Sequence, residues 1–186
     1  MTTSRASSRR PRSTFCRPLS RVHYFAGRLL VSEDLTADQE YFLEKLRRHN
    51  RLLHRPGVVE GLGVSVESVG IRVDSGLAID AAGNEICLPT VQTIAFPPGR
   101  GEVYLVLRYA EIGIDPIPVP ESFGGESLES LPSRIQESFT LGFAPPGGDS
   151  PLHPSPQASP PVRLARLRRT RGRWTVDSRF RRPRAR

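Results

Sequence analysis

At Arg55-Pro56-Gly57 the hydrophobic period of this chain changes from 3.6 to 2, and it does not change back. Before the break, Phe42, Leu46, His49 and Leu53 recur at helical spacing, with Leu43 and Asn50 beside them, so the pattern predicts a helix with one buried face. Thr36-Ala37-Asp38-Gln39 reads as its capping box, with Thr36 as N-cap. Asp38, Glu40 and Glu44 occupy the early turns and Arg47, Arg48, Arg51 and Arg55 the late ones, which complements the helix dipole; Glu44 and Arg48 add an i,i+4 pair. Proline disfavours helix at Arg55, and Gly57 permits the chain to reverse.

After the break the strands come quickly. Leu62, Val64 and Val66 alternate with Gly63, Ser65 and Glu67, and Ile71-Arg72-Val73 returns as a hairpin partner. Gly76 to Asp80 and Glu85 to Leu88 flank the turn Ala81-Ala82-Gly83-Asn84, where Gly83 supplies a positive φ. Val91 to Phe96 alternates again. Val103 to Tyr109 is nearly continuous in apolar and aromatic residues and therefore central. Residues 111–133 carry prolines at 116, 118, 120 and 132 and read as an irregular loop; residues 135–143 read as a strand, and the low-complexity stretch 144–161 as a second loop. Val162 to Leu167 alternates apolar with basic, giving one buried and one cationic face, and Gly172 turns it into a last hairpin through Arg173 to Asp177.

Eight to ten short strands after one helix predict an α+β, mainly β fold: a small β-sandwich or barrel with one prominent N-terminal amphipathic helix. The expected organisation is a disordered basic arm over 1–21, one helix-plus-β domain over 22–177, and an Arg-rich tail over 178–186. Charge follows that division. Residues 1–21 hold six arginines and no acid, residues 163–186 hold eleven arginines against Asp177, and residues 22–162 net −8, within a total of +8. An acidic body with basic ends differs from a nucleic-acid-binding domain, whose basic patch lies on the folded face. For the tail, a solvated segment is the first reading, docking on an acidic neighbour the second and nucleic acid the third.

Tyr24, Phe25, Leu29 and Leu30 are expected to pack beside the helix, with an exposed docking tag as the alternative. No apolar run has the roughly 20 residues a spanning helix needs. The start lacks a secretory h-region, and a basic arm suits it better than a transit peptide, because no apolar face accompanies the arginines. Cys16 and Cys87 make no disulfide framework, and Cys87 is expected as a small buried thiol in a strand. There is no P-loop, G-x-G-x-x-G, G-x-S-x-G or H-E-x-x-H, and four histidines with two cysteines make no ligand set at zinc spacing, so no enzyme activity, cofactor or metal is expected. His49 reads as a hydrogen-bonded core histidine and His54 as a dipole contact. Asp74 and Asp80 read as turn residues, with a cation as the alternative. Trp174, the only tryptophan, is either core of the last strand or an interface anchor.

One ordered series then stands out. His23-Tyr24-Phe25-Ala26-Gly27-Arg28-Leu29-Leu30, Asp34-Leu35, Gln39-Glu40-Tyr41, Arg48 to His54, and Gly57-Val58-Val59-Glu60-Gly61-Leu62-Gly63-Val64 are followed by Ser75 to Asp80, Gly83 and Glu85-Ile86. Together they resemble bacterial proteins found with phage-tail-like contractile injection systems, and the glycine, Leu-Ala-Ile-Asp, Gly-x-Glu-Ile turn is similar to β-modules of tail-fibre and baseplate proteins. The likeness covers residues 22–110, with weaker echoes at 134–143 and 162–177; the arginine-rich ends lie outside it. It implies a non-enzymatic structural subunit of cage, adaptor or fibre-attachment type near a baseplate, whose partners are copies of itself and neighbouring particle subunits in a homo-oligomeric assembly. It also implies assembly in the bacterial cytoplasm, with release in the particle as an extracellular alternative. Tyr24, Phe25, Arg28, Arg48, Arg51, Trp174, Arg181 and Arg182 are the candidate interface residues. The competing reading is a stand-alone β-sandwich module that binds glycan or protein through residues 111–133.

Overall fold

A computed structural model describes residues 18–99, 101–118, 130–147 and 159–186. The chain divides into two compact units, residues 1–45 and 46–186. The expected arm over residues 1–17 lies outside the described residues, as do 119–129 and 148–158, the middle parts of the two expected loops.

One helix, α1 (Ser32–Leu53), runs through the boundary between the units. It begins five residues earlier than the capping-box reading places it. Thr36 is not the N-cap: its hydroxyl donates to the Ser32 carbonyl at 3.0 Å, one turn back inside the helix. In the first unit, residues 18–31 are irregular apart from a turn at Gly27. Arg28 ties this segment to the helix start, donating to the His23 carbonyl at 2.8 Å and pairing with Asp34 at 2.6 Å.

The second unit holds ten strands among the described residues, in three antiparallel sheets. The first sheet orders β1 (Gly57–Gly61), β4 (Gly76–Ile79) and β5 (Glu85–Leu88) as β1-β4-β5. The second orders β2 (Val64–Val66), β3 (Ile71–Val73) and β6 (Gln92–Ile94) as β2-β3-β6. The third orders β7 (Glu102–Pro118), β8 (Ser130–Ala144), β9 (Val162–Thr170) and β10 (Arg173–Val176) as β10-β9-β7-β8. The fold is α+β and mainly β, as the change of period predicts.

Alternation builds the core. Ile71 and Val73, and Ile86 and Leu88, point inward from the small sheets; Leu105, Leu107, Val162, Leu164 and Leu167 meet them from the third in one cluster. The same alternation corrects Cys87, which lies between Ile86 and Leu88 and is therefore exposed. In β9 the apolar pair Leu164-Ala165 interrupts the alternation because a bulge opposite Leu105 and Val106 shifts the register, so both side chains are buried.

Three expectations of local structure change. Residues 111–118 and 130–133 are not irregular: β7 and β8 pair from Tyr104↔Ala144 out to Pro118↔Ser130, and beyond Leu107 they form a two-stranded ribbon with no third strand among the described residues. Pro116 lies opposite Pro132, a pair that cannot exchange amide hydrogen bonds and so suits the non-hydrogen-bonded positions of a ladder. The helix face carrying Phe42, Leu46 and Leu53 is exposed, and so is His49; the buried residue of the helix is Asn50. Tyr24, Phe25, Leu29 and Leu30 are exposed too, Leu29 at 83%, so this segment is not buried against the helix, although the Tyr24 hydroxyl reaches Asp38 there.

Nor is the arginine tail a solvated segment. Residues 183–185 lie against the free edge of β1 in a parallel bridge, Val58↔Arg184. The Val58 amide donates to the Pro183 carbonyl at 2.9 Å and the Ala185 amide to the Val58 carbonyl at 3.0 Å. Gly57 allows the approach: a Cβ there would stand 2.7 Å from the backbone of Pro183 and Arg184.

Candidate assembly surfaces

The turn between β4 and β5 is a built socket for the C-terminal half of α1. Asp80 is buried, and its Oδ1 accepts from the Ala82 and Asn84 amides, each at 2.9 Å. Its Oδ2 accepts from the Asn84 side-chain amide at 2.9 Å. This closes a tight turn at Gly83, whose φ is +88°. The turn offers its carbonyls to the helix: Asn50 Nδ2 donates to Gly83 O at 3.0 Å and to Glu85 Oε1 at 3.2 Å, and Arg51 donates to Ala82 O at 2.9 Å. A Cβ on residue 83 would lie 2.2 Å from the Arg47 carbonyl oxygen. The Leu-Ala-Ile-Asp, Gly-x-Glu-Ile series is thus a helix seat, with turn hydrogen bonds where a cation was the alternative for Asp80.

The same helix turn reaches the base of the ribbon. Arg47 pairs with Glu111 at 3.3 Å, Glu111 accepts from the Tyr109 hydroxyl at 2.8 Å, and the Arg47 guanidinium stacks 5.9 Å from the Tyr109 ring. Burial, then the Glu111 hydrogen bond, raises the Tyr109 phenol well above its ordinary value.

At the other end of the third sheet, the cationic face expected for β9 is largely spent inside the molecule. Arg166 and Arg168 both pair with Glu102 and Asp177, Arg168 at 2.9 and 3.2 Å. The Arg179 amide, then the Arg166 guanidinium, hold the Asp177 carboxyl below the usual carboxylate range against the opposing cost of desolvation. Arg169 caps this end, donating to Gly99 O at 2.7 Å and lying over the Trp174 ring.

The candidate interface residues therefore divide. Tyr24 and Phe25 are exposed, whereas Arg28 is committed to Asp34 and His23. Arg48 is half-buried on the helix, and Arg51 belongs to the socket. Trp174 is 7% exposed and is core. Arg182 donates to the carbonyls of Gly61 and Leu62 at 3.1 and 3.0 Å, so it fastens the C-terminal strap; Arg181 is exposed. Among the described residues, no cluster of three or more His, Cys, Asp or Glu suits a metal ion, and no helix is long and apolar enough to cross a membrane.

What sequence reasoning missed is the ribbon, where Ile112, Ile117, Leu131 and Ile135 are all exposed. The signal was present: Pro116 and Pro118 are spaced two apart, which is strand period on one edge rather than loop composition.

No protein-family model and no curated protein matches the chain. Solved structures do. Its fold is similar to a chain of the type VI secretion system TssK-TssF-TssG baseplate subcomplex, at TM-score 0.50 and 18% identity over 88% of this chain and 61% of that one. It is similar also to a chain of the baseplate complex from the type VI secretion system, at TM-score 0.53 and 17% identity over 90% of this chain and 60% of that one. The chain thus shares its fold with these two chains of type VI secretion baseplate complexes and spans about 60% of their length.

Proposed function

We propose that this chain is a non-enzymatic structural subunit of a phage-tail-like contractile injection particle, associated with the baseplate in a cage, adaptor or fibre-attachment role and working by assembly with copies of itself and neighbouring subunits. The observation that carries the reading is the fold shared with baseplate chains across nine-tenths of this one. The surfaces agree with it. Tyr24 and Phe25 on the irregular segment, and the isoleucines of the ribbon, present apolar area that favours protein partners over a glycan. Assembly takes place in the bacterial cytoplasm, and the subunit leaves with the particle.

The test is co-sedimentation. A tagged chain expressed in its own host is expected in the particle fraction on a density gradient, at a fixed ratio to sheath and tube subunits. Recovery entirely in the light fractions while intact particles sediment would overturn the assignment.

A further inference from the structure

The exposed face of α1 is not randomly apolar. Leu35, Gln39, Phe42, Leu46, His49 and Leu53 are separated by 4, 3, 4, 3 and 4 residues, the a/d spacing of three heptads. All six are exposed, with Leu35 at 54%, Phe42 at 60%, Leu46 at 50% and Leu53 at 64%. The socket residues lie to one side of this seam: around the helix axis Asn50 stands about a sixth of a turn from it, Arg47 about a third and Arg51 nearly half.

We propose that this seam pairs with the same seam of a second copy, antiparallel, as a two-fold symmetric coiled-coil dimer. Two independent features select that occupant. The first is charge. Residues 32–44 hold Glu33, Asp34, Asp38, Glu40 and Glu44 with no basic residue, and residues 45–55 hold Lys45, Arg47, Arg48, Arg51 and Arg55 with no acid. Antiparallel pairing sets each acidic half, with its helix N-terminus, beside the basic half and C-terminus of the other copy; parallel pairing sets like against like.

The second is register. When a positions meet d positions of an antiparallel partner, Leu53 faces Leu35 of the other copy, Leu46 faces Phe42, and Gln39 faces His49. Apolar meets apolar, and the one polar layer pairs an amide with an imidazole that can share a hydrogen bond. Such self-complementarity is what an isologous contact demands. This inference deepens the assembly reading above and rests on it only in supposing that copies meet.

The experiment uses the full chain in a Cys16→Ser, Cys87→Ser background. Light scattering at micromolar concentration is expected to give twice the chain mass. Phe42→Glu with Leu46→Glu is expected to give the single mass with an unchanged circular dichroism spectrum and to weaken dimerisation on the order of a hundredfold or more. Leu35→Cys and Leu53→Cys chains, mixed and oxidised, are expected to cross-link to each other. Neither is expected to cross-link to itself, because antiparallel copies hold position 35 about 27 Å from its own mate. A monomeric parent, a dimer indifferent to the two glutamates, or self-linked Leu35→Cys would each overturn the proposal. A monomer that still co-sediments with particles removes the dimer and leaves the assembly reading standing; a cross-linked dimer absent from particles does the reverse.

Discussion

At the scale of single residues, Asn50 and Gly83 join the helix to the β4–β5 turn. The Asn50 amide is buried and donates to both Gly83 O and Glu85 Oε1. Asn50→Ala removes the donor and leaves the Gly83 carbonyl buried without its partner, a cost of about 1–3 kcal/mol that a shift in the denaturant midpoint at constant slope would report. Gly83→Ala costs more, about 2–4 kcal/mol, because its Cβ meets the Arg47 carbonyl and its φ is left-handed. Should Gly83→Ala prove as stable as the parent, α1 does not seat on this turn.

Asp177 makes a different prediction. Its folded pKa is depressed by the Arg179 amide and the Arg166 guanidinium, so the stability it contributes is present above the ordinary carboxylate range and is lost as pH falls through the folded value. Asp177→Asn is therefore expected to lower the denaturant midpoint at pH 7, with the gap to the parent closing in strong acid. A gap that stays constant between pH 7 and pH 2 would show that the carboxylate charge is not what holds β9 to β10.

At the scale of elements, the strap across β1 and the ribbon are the two departures that matter. Truncation after Phe180 removes two backbone hydrogen bonds at Val58 and the Arg182 contacts. Expected are a loss of about 1–3 kcal/mol and faster aggregation, since the β1 edge is then bare; light scattering against time would show it. Sequence made most of the strands legible because one side of each is buried: the β2–β3 hairpin, the β4–β5 turn and the last hairpin fall where alternation and glycine place them. It misplaced the ribbon because a two-stranded arm buries little, leaving composition without an inward face to mark period. It misplaced the helix face for a related reason. A 3.6-residue period shows that apolar side chains share a stripe but not what covers it, and here the polar Asn50 took the buried position while Phe42 and Leu46 stayed outside. The tail was opaque because its attachment runs through backbone groups, which every residue has.

At the scale of the molecule, the described residues present several apolar or charged surfaces, and the candidate interface residues were legible only in part: Tyr24 and Phe25 remain exposed, while Trp174, Arg28 and Arg182 turn out to hold the chain together. The ribbon is the surface most easily separated from stability. Ile117 and Leu131 lie directly opposite each other and are both exposed. Ile117→Asp with Leu131→Asp is expected to leave the melting temperature within a few degrees of the parent while reducing co-sedimentation with particles several-fold. Equal incorporation of the double variant would exclude the ribbon as a contact.

The strap also sets a clock. Val58 and its partner Arg184 are separated by most of the chain, so during synthesis β1 is made early and its outer edge waits for Arg184 to emerge. At about 5–20 residues per second that wait is on the order of ten seconds, long compared with the microseconds in which a hairpin forms. Through that interval the nascent chain carries a finished helix and an unguarded strand edge, and crowded ribosomes on one message hold several such edges side by side. Chaperone demand for this subunit should therefore fall on translation rather than on refolding, and slowing the codons between Val58 and Arg184 should harm its yield more than slowing those before Val58.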